Sequence, residues 1–381
     1  MGSRVISVRI GAPDRALSDA FETLARRAAP NVFMHPAALA SAGATGFARV
    51  HVLQAWQGDG ADRSLVGLWA LGECRVARLG PALLTAPPYD YAFVGNPMAD
   101  PDHLDAVMAA FLATIASDAQ LPKVIKLKLI DADAPTFRPM LAALGERRGQ
   151  MLKLAEQARP FLSCEADRKR SGSTAKKLRQ DWNRLAALGA VEVANERNGE
   201  EVRAAFESFL AMELKSWKGA NGTALLCDDD DAEFARRLIA DLAATGGASV
   251  ALLRVDGKPI AAQVLLYCGA MAYTWKTAFD AGFAKFSPGA LLIDKVTDAL
   301  FAGGITQIES CASQESFMAQ LWTGRRTTVD LLLDLNAEKS PRFTLAHLSE
   351  RAYALARDWR ARLRAAALLP AKRKNLAVTR G

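Results

Sequence analysis

"SVALLRVDGKPIAAQVLLYCGAMAYTWKTAFDAGFAKFSPGALL", residues 249–292, decides the fold. Three runs, 249–255, 260–267 and 271–279, are rich in aliphatic and aromatic residues and read as strands. Asp256-Gly257 is a hairpin signal and Cys268-Gly269-Ala270 a short link, so the three strands form an antiparallel meander. A loop follows, then a helix over 288–302 with Leu292, Val296, Ala299 and Leu300 at helical spacing. Ser287 is expected to cap that helix and Pro288 to set the φ of its first turn. A helix start of this kind, entered from a strand through a loop, can hold an anion on its free N–H groups.

Outward from this core, 189–196 reads as a strand and 200–218 as a helix with Val202, Phe206, Phe209 and Leu210 on one face. The acidic run Asp228 to Asp231 suits a helix N-terminus, and Gly246-Gly247 ends that helix. Downstream come a strand at 305–311, a short helix at 315–322 and a closing strand at 327–335. The first half follows the same plan: strand 4–10, helices 15–28 and 36–42, strands 50–56 and 64–71, and a Pro-rich segment 81–97. Helix 103–119, strand 123–130 and helix 135–146 complete it. The join falls near 156–173, where "RKRSGS" (168–173) reads as a loop before a basic helix, "TAKKLRQDWNRLAALG" (174–189). The expected domains are 1–160, 161–336 and a basic amphipathic helical tail, 337–381.

Length and composition agree with this plan. The 381 residues are about twice a common domain length, and half are hydrophobic, enough for large cores. There is no run of 18 apolar residues and no apolar leader, which predicts a cytoplasmic protein. Five scattered cysteines without a CxxC pair, and four histidines without ligand spacing, predict no disulfide framework and no metal. The net charge is +7, but residues 351–381 hold nine Lys/Arg and one acid, so residues 1–350 sum to about −1. No basic groove interleaved with aromatics is present, and no DNA partner is expected. The tail reads either as a solvated helix packed on the second half or as a contact for a membrane surface or acidic partner.

The element order of the second half resembles the GNAT acyltransferase fold. The phrases "ELKSWKGANGTAL" (213–225), "VDGKPIAAQVLLYCGAMAYTWKTAFD" (255–280) and "FAKFSPGALL" (283–292) look like the CelD-type acetyltransferases associated with cellulose and exopolysaccharide biosynthesis. These are relatives of the FemAB peptidoglycan aminoacyltransferases. "NVFMHPAALASAG" (31–43) is similar to the opening aromatic-Pro segment of the same group. The resemblance implies an α/β (α+β) chain of tandem GNAT-like domains with mixed, largely antiparallel sheets. It also implies acetyl-CoA or another acyl-CoA as co-substrate and a small-molecule or glycan-precursor acceptor.

In that fold the coenzyme A pyrophosphate meets backbone N–H groups at the loop that enters the third helix. Here that place comprises Lys285, Phe286, Ser287, Gly289, Ala290 and Leu291, with the N–H groups of the last three expected to be free. The loop departs from the usual signature of that site, having one glycine preceded by proline. On the meander strand, alternation puts Tyr273 and Trp275 on one face and Thr274 and Lys276 on the other. Tyr273 and Lys276 are catalytic candidates, with Glu213 as a base for the amine. Trp217, Lys218, Trp275 and Ser313 are candidates for binding the acceptor. The last helix has Phe317 where many GNAT enzymes carry a thiolate-protonating tyrosine, leaving Ser313, Glu315, Ser316 or water to substitute. Two other readings remain: an aminoacyl-tRNA-dependent transferase of FemAB type, and a catalytically silent scaffold that binds an acidic partner through its tail.

Overall fold

A computed structural model describes residues 6–44, 49–60, 63–76, 80–163 and 171–374, with side chains in the last helix described through 360 and at 362. The first half runs β1 (Ile6–Gly11), α1 (Ser18–Ala25), α2 (Pro36–Ala44), β2 (Val50–Gln57), β3 (Ser64–Arg75), β4 (Ala82–Ala86), β5 (Met98–Ala99), α3 (Leu104–Ser117), β6 (Val124–Asp131), α4 (Phe137–Glu146) and β7 (Gln150–Leu162). The second runs α5 (Gly172–Ala186), β8 (Val191–Glu196), α6 (Gly199–Leu214), α7 (Trp217–Ala220), α8 (Asp229–Ala243), β9 (Ala248–Val255), β10 (Lys258–Cys268), β11 (Met271–Phe279), α9 (Pro288–Ala302), β12 (Gln307–Glu309), α10 (Met318–Leu321) and β13 (Arg325–Asp334). A long helix, α11 (Pro341–Lys374), ends the description.

Local chemistry explains the second-half helices. Asn198 caps α6 by accepting the N–H of Glu200, and Asp228 caps α8 by accepting those of Asp230 and Asp231. Val202, Phe206, Phe209 and Leu210 of α6 are buried in the core that also holds Val250, Leu252, Val264 and Tyr273 of the sheet. Burying each large side chain contributes roughly 1.5–3 kcal/mol. On the opposite face, α5 and α9 pack over Leu253, Ile260, Leu265 and Ala272.

The strands join in one sheet with the order β1-β2-β3-β4-β6-β13-β7-β12-β11-β10-β9-β8, with β5 beside β3. Read from either end, the pairing polarity is the same: three antiparallel steps, one parallel step (β4 with β6, β11 with β12), then an antiparallel step. This symmetry is the mark of two copies of one α/β unit. The strand expected to close the second half does not stay there. Instead β13 lies between β6 and β7, while the end of β7 pairs with β12 through Leu162↔Ile308 and Phe161↔Glu309. Each half therefore lends its last strand to the other. The reason is length: β7 is 13 residues long, enough to pair with β13 from Gln150 to Pro160 and still reach β12. Residues 156–162, expected within the join, are thus strand; of the loop expected at 168–173, residues 168–170 lie outside the described residues, Ser171 caps α5 and Gly172 and Ser173 begin it.

A buried ionic chain ties the exchanged strands. Arg159 of β7 (2% exposed) lies 3.2 Å from Glu309 of β12 (0%), and Arg326 of β13 donates to Glu309 (2.9 Å) and approaches Asp131 of β6 (3.1 Å). The Arg326 guanidinium also stacks 3.8 Å over the Phe161 ring. Burial raises the Asp131 pKa, against the opposing pull of Arg326. Such a chain adds little net stability, but it fixes the register of the crossing strands because any slip leaves a charge unpaired.

Candidate active site

The site begins with one irregularity in β11. Its register with β10 runs Val264↔Lys276 and then Leu265↔Thr274, so Trp275 has no partner across the ladder. Two consecutive side chains then face the same way. Strict alternation placed Lys276 with Thr274; the bulge turns Lys276 onto the α6 face beside Trp275. Past Tyr273 the sheet also opens: β11 pairs with β12 only from Met271 to Tyr273, yet continues to Phe279. The Thr274 hydroxyl spans the start of this opening, donating to the Ser310 carbonyl at 2.8 Å.

Lys276 lies over the Tyr91 ring, 4.4 Å from its centroid, and 3.8 Å from a Glu213 oxygen. Burial pushes its pKa down to about 8; Glu213 opposes the shift and Lys218 adds to it. Glu213 is fully buried on α6. One of its oxygens accepts from Lys218 at 2.9 Å, and the other accepts the Leu225 N–H at 3.0 Å. With both oxygens engaged, the carboxylate holds the two lysines in place. The side chain is fully buried, so it is shielded from solvent. Tyr91 donates to Asp231, and its own carbonyl accepts the Trp275 indole N–H at 3.0 Å. The cluster therefore has walls from both halves. Sequence reasoning missed Tyr91 and Asp231; the acidic run signalled only a helix start, and nothing local links Tyr91 to a lysine 185 positions away.

The loop into α9 differs from its expected form. Ser287 is left-handed (φ 52°, ψ 47°) and its side chain does not cap the helix. Its hydroxyl instead accepts from Lys177 of α5 at 2.8 Å, while its carbonyl takes the N–H groups of Ala290 and Leu291. Of the three N–H groups expected to be free, only that of Gly289 escapes this carbonyl. The helix start is nonetheless surrounded by cations. Lys177 is on Ser287, and Arg184 and Lys285 lie 5.2 and 5.1 Å over the buried Phe286 ring. Asp181 partly balances Lys177 and Arg184. A cleft of about 200 Å³ between α5 and α9, lined by Arg179, Trp182, Leu291 and Lys295, adjoins it.

The remaining candidates separate. Trp217 is 65% exposed beside Lys218, at the rim of the cluster. Ser313 is exposed after β12 and makes no hydrogen bond to the cluster among the described residues. The hydroxyl of Ser316 is buried without a partner among the described residues, in the segment where a thiolate donor was sought. Tyr273 is fully buried; it donates to the Pro30 carbonyl at 2.8 Å and packs edge-on against Phe33. Burial holds its pKa well above the usual value. We expect Tyr273→Phe to lower stability by about 1 kcal/mol, as for one lost hydrogen bond, and to leave turnover unchanged; denaturant unfolding and initial rates check both. A cavity of about 320 Å³ between the halves, lined by Asn31, Asn96, Asp131, Met271 and Arg326 among others, lies at the other end of β11. That is roughly 17 Å from Lys276 along the strand, at ~3.4 Å per residue.

Comparison with known proteins follows the geometry. Residues 172–317 match the family described as an acetyltransferase (GNAT) domain. No curated protein sequence matches the chain. Among solved structures, FemX superposes with a TM-score of 0.57 at 12% identity, covering 83% of this chain and 95% of that one. The C-terminal domain of an Agrobacterium fabrum protein described as a candidate lysylphosphatidylglycerol synthetase gives 0.51 at 13% identity, covering 88% and 96%. A Bacteroides thetaiotaomicron protein of unknown function gives 0.52 at 13%, covering 86% and 98%. At these identities the likeness concerns fold. Residues 172–317 thus form a GNAT acetyltransferase domain, and the chain as a whole shares the fold of FemX.

Proposed function

We propose that the protein transfers an acetyl or longer acyl group from acyl-CoA to an amino or hydroxyl group of a polar, sugar-like acceptor, in exopolysaccharide or envelope assembly. The observation that carries this reading is the coincidence of three features on one strand-loop-helix unit. These are a bulge that frees the backbone at Trp275, a lysine poised near neutrality next to it, and a cationic surround at the start of α9. Acyl-CoA supplies a thioester whose carbonyl is attacked by the acceptor. Neutral Lys276 takes the proton from the attacking amine as the C–N bond forms, and the resulting ammonium stands ready to protonate the thiolate as the C–S bond breaks. Lys218 and Glu213 keep Lys276 oriented, and Trp217 offers a flat wall to a sugar ring.

Binding of acetyl-CoA and longer acyl-CoAs, measured by calorimetry, tests the donor. Micromolar binding to the parent that is lost in Gly289→Glu is expected, because the variant puts a carboxylate beside the one N–H of the three that the Ser287 carbonyl does not take. A Cβ at this position makes ordinary van der Waals contact with Phe279 and Thr277, both at 3.7 Å; circular dichroism checks that the longer side chain leaves the fold intact. No binding at millimolar ligand contradicts the acyl-CoA reading. Aminoacyl transfer is the second reading, favoured by the fold shared with FemX and with the lysylphosphatidylglycerol synthetase relative. Aminoacyl-tRNA is then the donor to test.

A further inference from the structure

Among the described residues, helix α11 meets the body through its first turns. Phe343 and Ala346 are buried against Val76, Leu83, Val124 and Leu332, and Glu350 pairs with Lys126 of β6. At 3.6 residues per turn, Leu345, Leu348, Ala352, Leu355 and Trp359 recur at intervals of three and four and form one stripe. That stripe lies roughly opposite the side occupied by Phe343, Ala346 and Glu350, so it faces away from the protein. Its members are exposed: Leu348 is 55%, Leu355 68% and Trp359 68% accessible. No contact within the described residues covers it.

The charges beside the stripe are mainly positive, four arginines against one acid. Arg351 and Arg362 border one edge, Arg342 and Arg360 the other, all exposed. Of the acids in the described segment, Glu350 is held by Lys126 on the opposite side, and Asp358 falls on the Arg351–Arg362 edge, 4.0 Å from Arg357. This pattern selects among occupants. A second copy of the helix would bring arginine edges against arginine edges, which repel. An anionic bilayer suits both features, since Trp and Leu enter the headgroup boundary while arginine stems lie along it and reach the phosphates. Each cation near such a surface strengthens partitioning roughly fivefold.

We propose that the outer face of α11 docks the protein on an anionic lipid bilayer, lying in the plane of the interface. No helix among the described residues is long and apolar enough to cross a membrane, and the proposed contact is peripheral. The full-length chain is mixed with vesicles of phosphatidylcholine alone or of phosphatidylcholine and phosphatidylglycerol in equal parts, and bound protein is separated by flotation. Binding to the anionic vesicles only, weakened at high salt, is expected. The double variant Leu355→Glu/Trp359→Glu, which removes the inserted apolar groups, and the triple variant Arg351→Glu/Arg360→Glu/Arg362→Glu, which loses roughly fivefold per cation, should each reduce partitioning at least tenfold. Both change exposed positions, and circular dichroism confirms their folding. Three results overturn the proposal: no flotation with anionic vesicles, flotation undiminished by either variant, or a dimer in sedimentation that Leu355→Glu/Trp359→Glu dissociates.

Discussion

Replacing Lys276 by Met lowers the acyl-transfer rate by about 10²–10⁴-fold, the range for loss of a positioned acid–base group, and does not lower the melting temperature at pH 7. The two halves of this expectation have one cause. Burial pushes the Lys276 pKa to about 8 from 10.5, so a useful fraction of the amine is neutral near physiological pH. In the parent enzyme kcat/KM should therefore rise with pH and level off above about 8; the Met variant should lose that limb. Stability runs in a linked direction. Below about 8 the lysine is charged in both folded and unfolded chains, and the cost of burying the charge is fully present. Between about 8 and 10.5 the unfolded chain binds a proton that the folded one does not, so this cost is relieved as pH rises. A shift of this size corresponds to about 3 kcal/mol, a cost from which methionine is free. Initial rates across pH and thermal melts of both proteins measure these effects. A variant with parental turnover, or one that melts well below the parent, contradicts the assignment.

Glu213→Ala acts mainly on the fold. It removes a fully buried carboxylate from between Lys218 and Lys276 and leaves the Leu225 N–H without its acceptor. Breaking a buried pair from one side costs about 3–5 kcal/mol, which denaturant unfolding resolves easily. Glu213→Gln separates charge from shape, since an amide oxygen still accepts the Leu225 N–H. Its stability loss should be smaller. Its effect on the pH profile follows from Glu213 opposing the downward shift of Lys276. Without that charge the Lys276 pKa falls further, and the rising limb of kcat/KM moves to lower pH. A limb that moves upward would mean that another group titrates.

The boundaries of the meander and of α9 were legible because each rests on local chemistry. Asp256-Gly257 sets the first hairpin, alternation marks the strands, and Ser287-Pro288-Gly289 starts the helix; the observed spans β11 (Met271–Phe279) and α9 (Pro288–Ala302) agree with the expected ones. Shorter elements contracted: the helix expected at 315–322 is Met318–Leu321, and the strand at 305–311 is Gln307–Glu309. What the sequence alone hides are properties of pairs. A bulge exists only relative to a partner strand, so the turn of Lys276 toward Glu213 could not be read from alternation. Ser287 looked like a cap because the type suits that role; Lys177, from a helix 110 positions earlier, takes its hydroxyl instead. Exchange of β7 and β13 likewise depends on how far one strand outruns another. Glu213, Lys218, Trp275 and Lys276 were nevertheless named from sequence and do gather, while Tyr273 turns to the other half and Ser313 stays apart.

The most direct measurement is a carbon-13 NMR titration of the lysine side chains in the full-length protein, with Lys276→Met to assign the resonance. One lysine titrating near pH 8, absent from the variant, is the predicted result. A Lys276 that titrates with the exposed lysines, at about 10.4, would contradict the account, because a permanently charged amine beside Glu213 could not accept a proton from the acceptor.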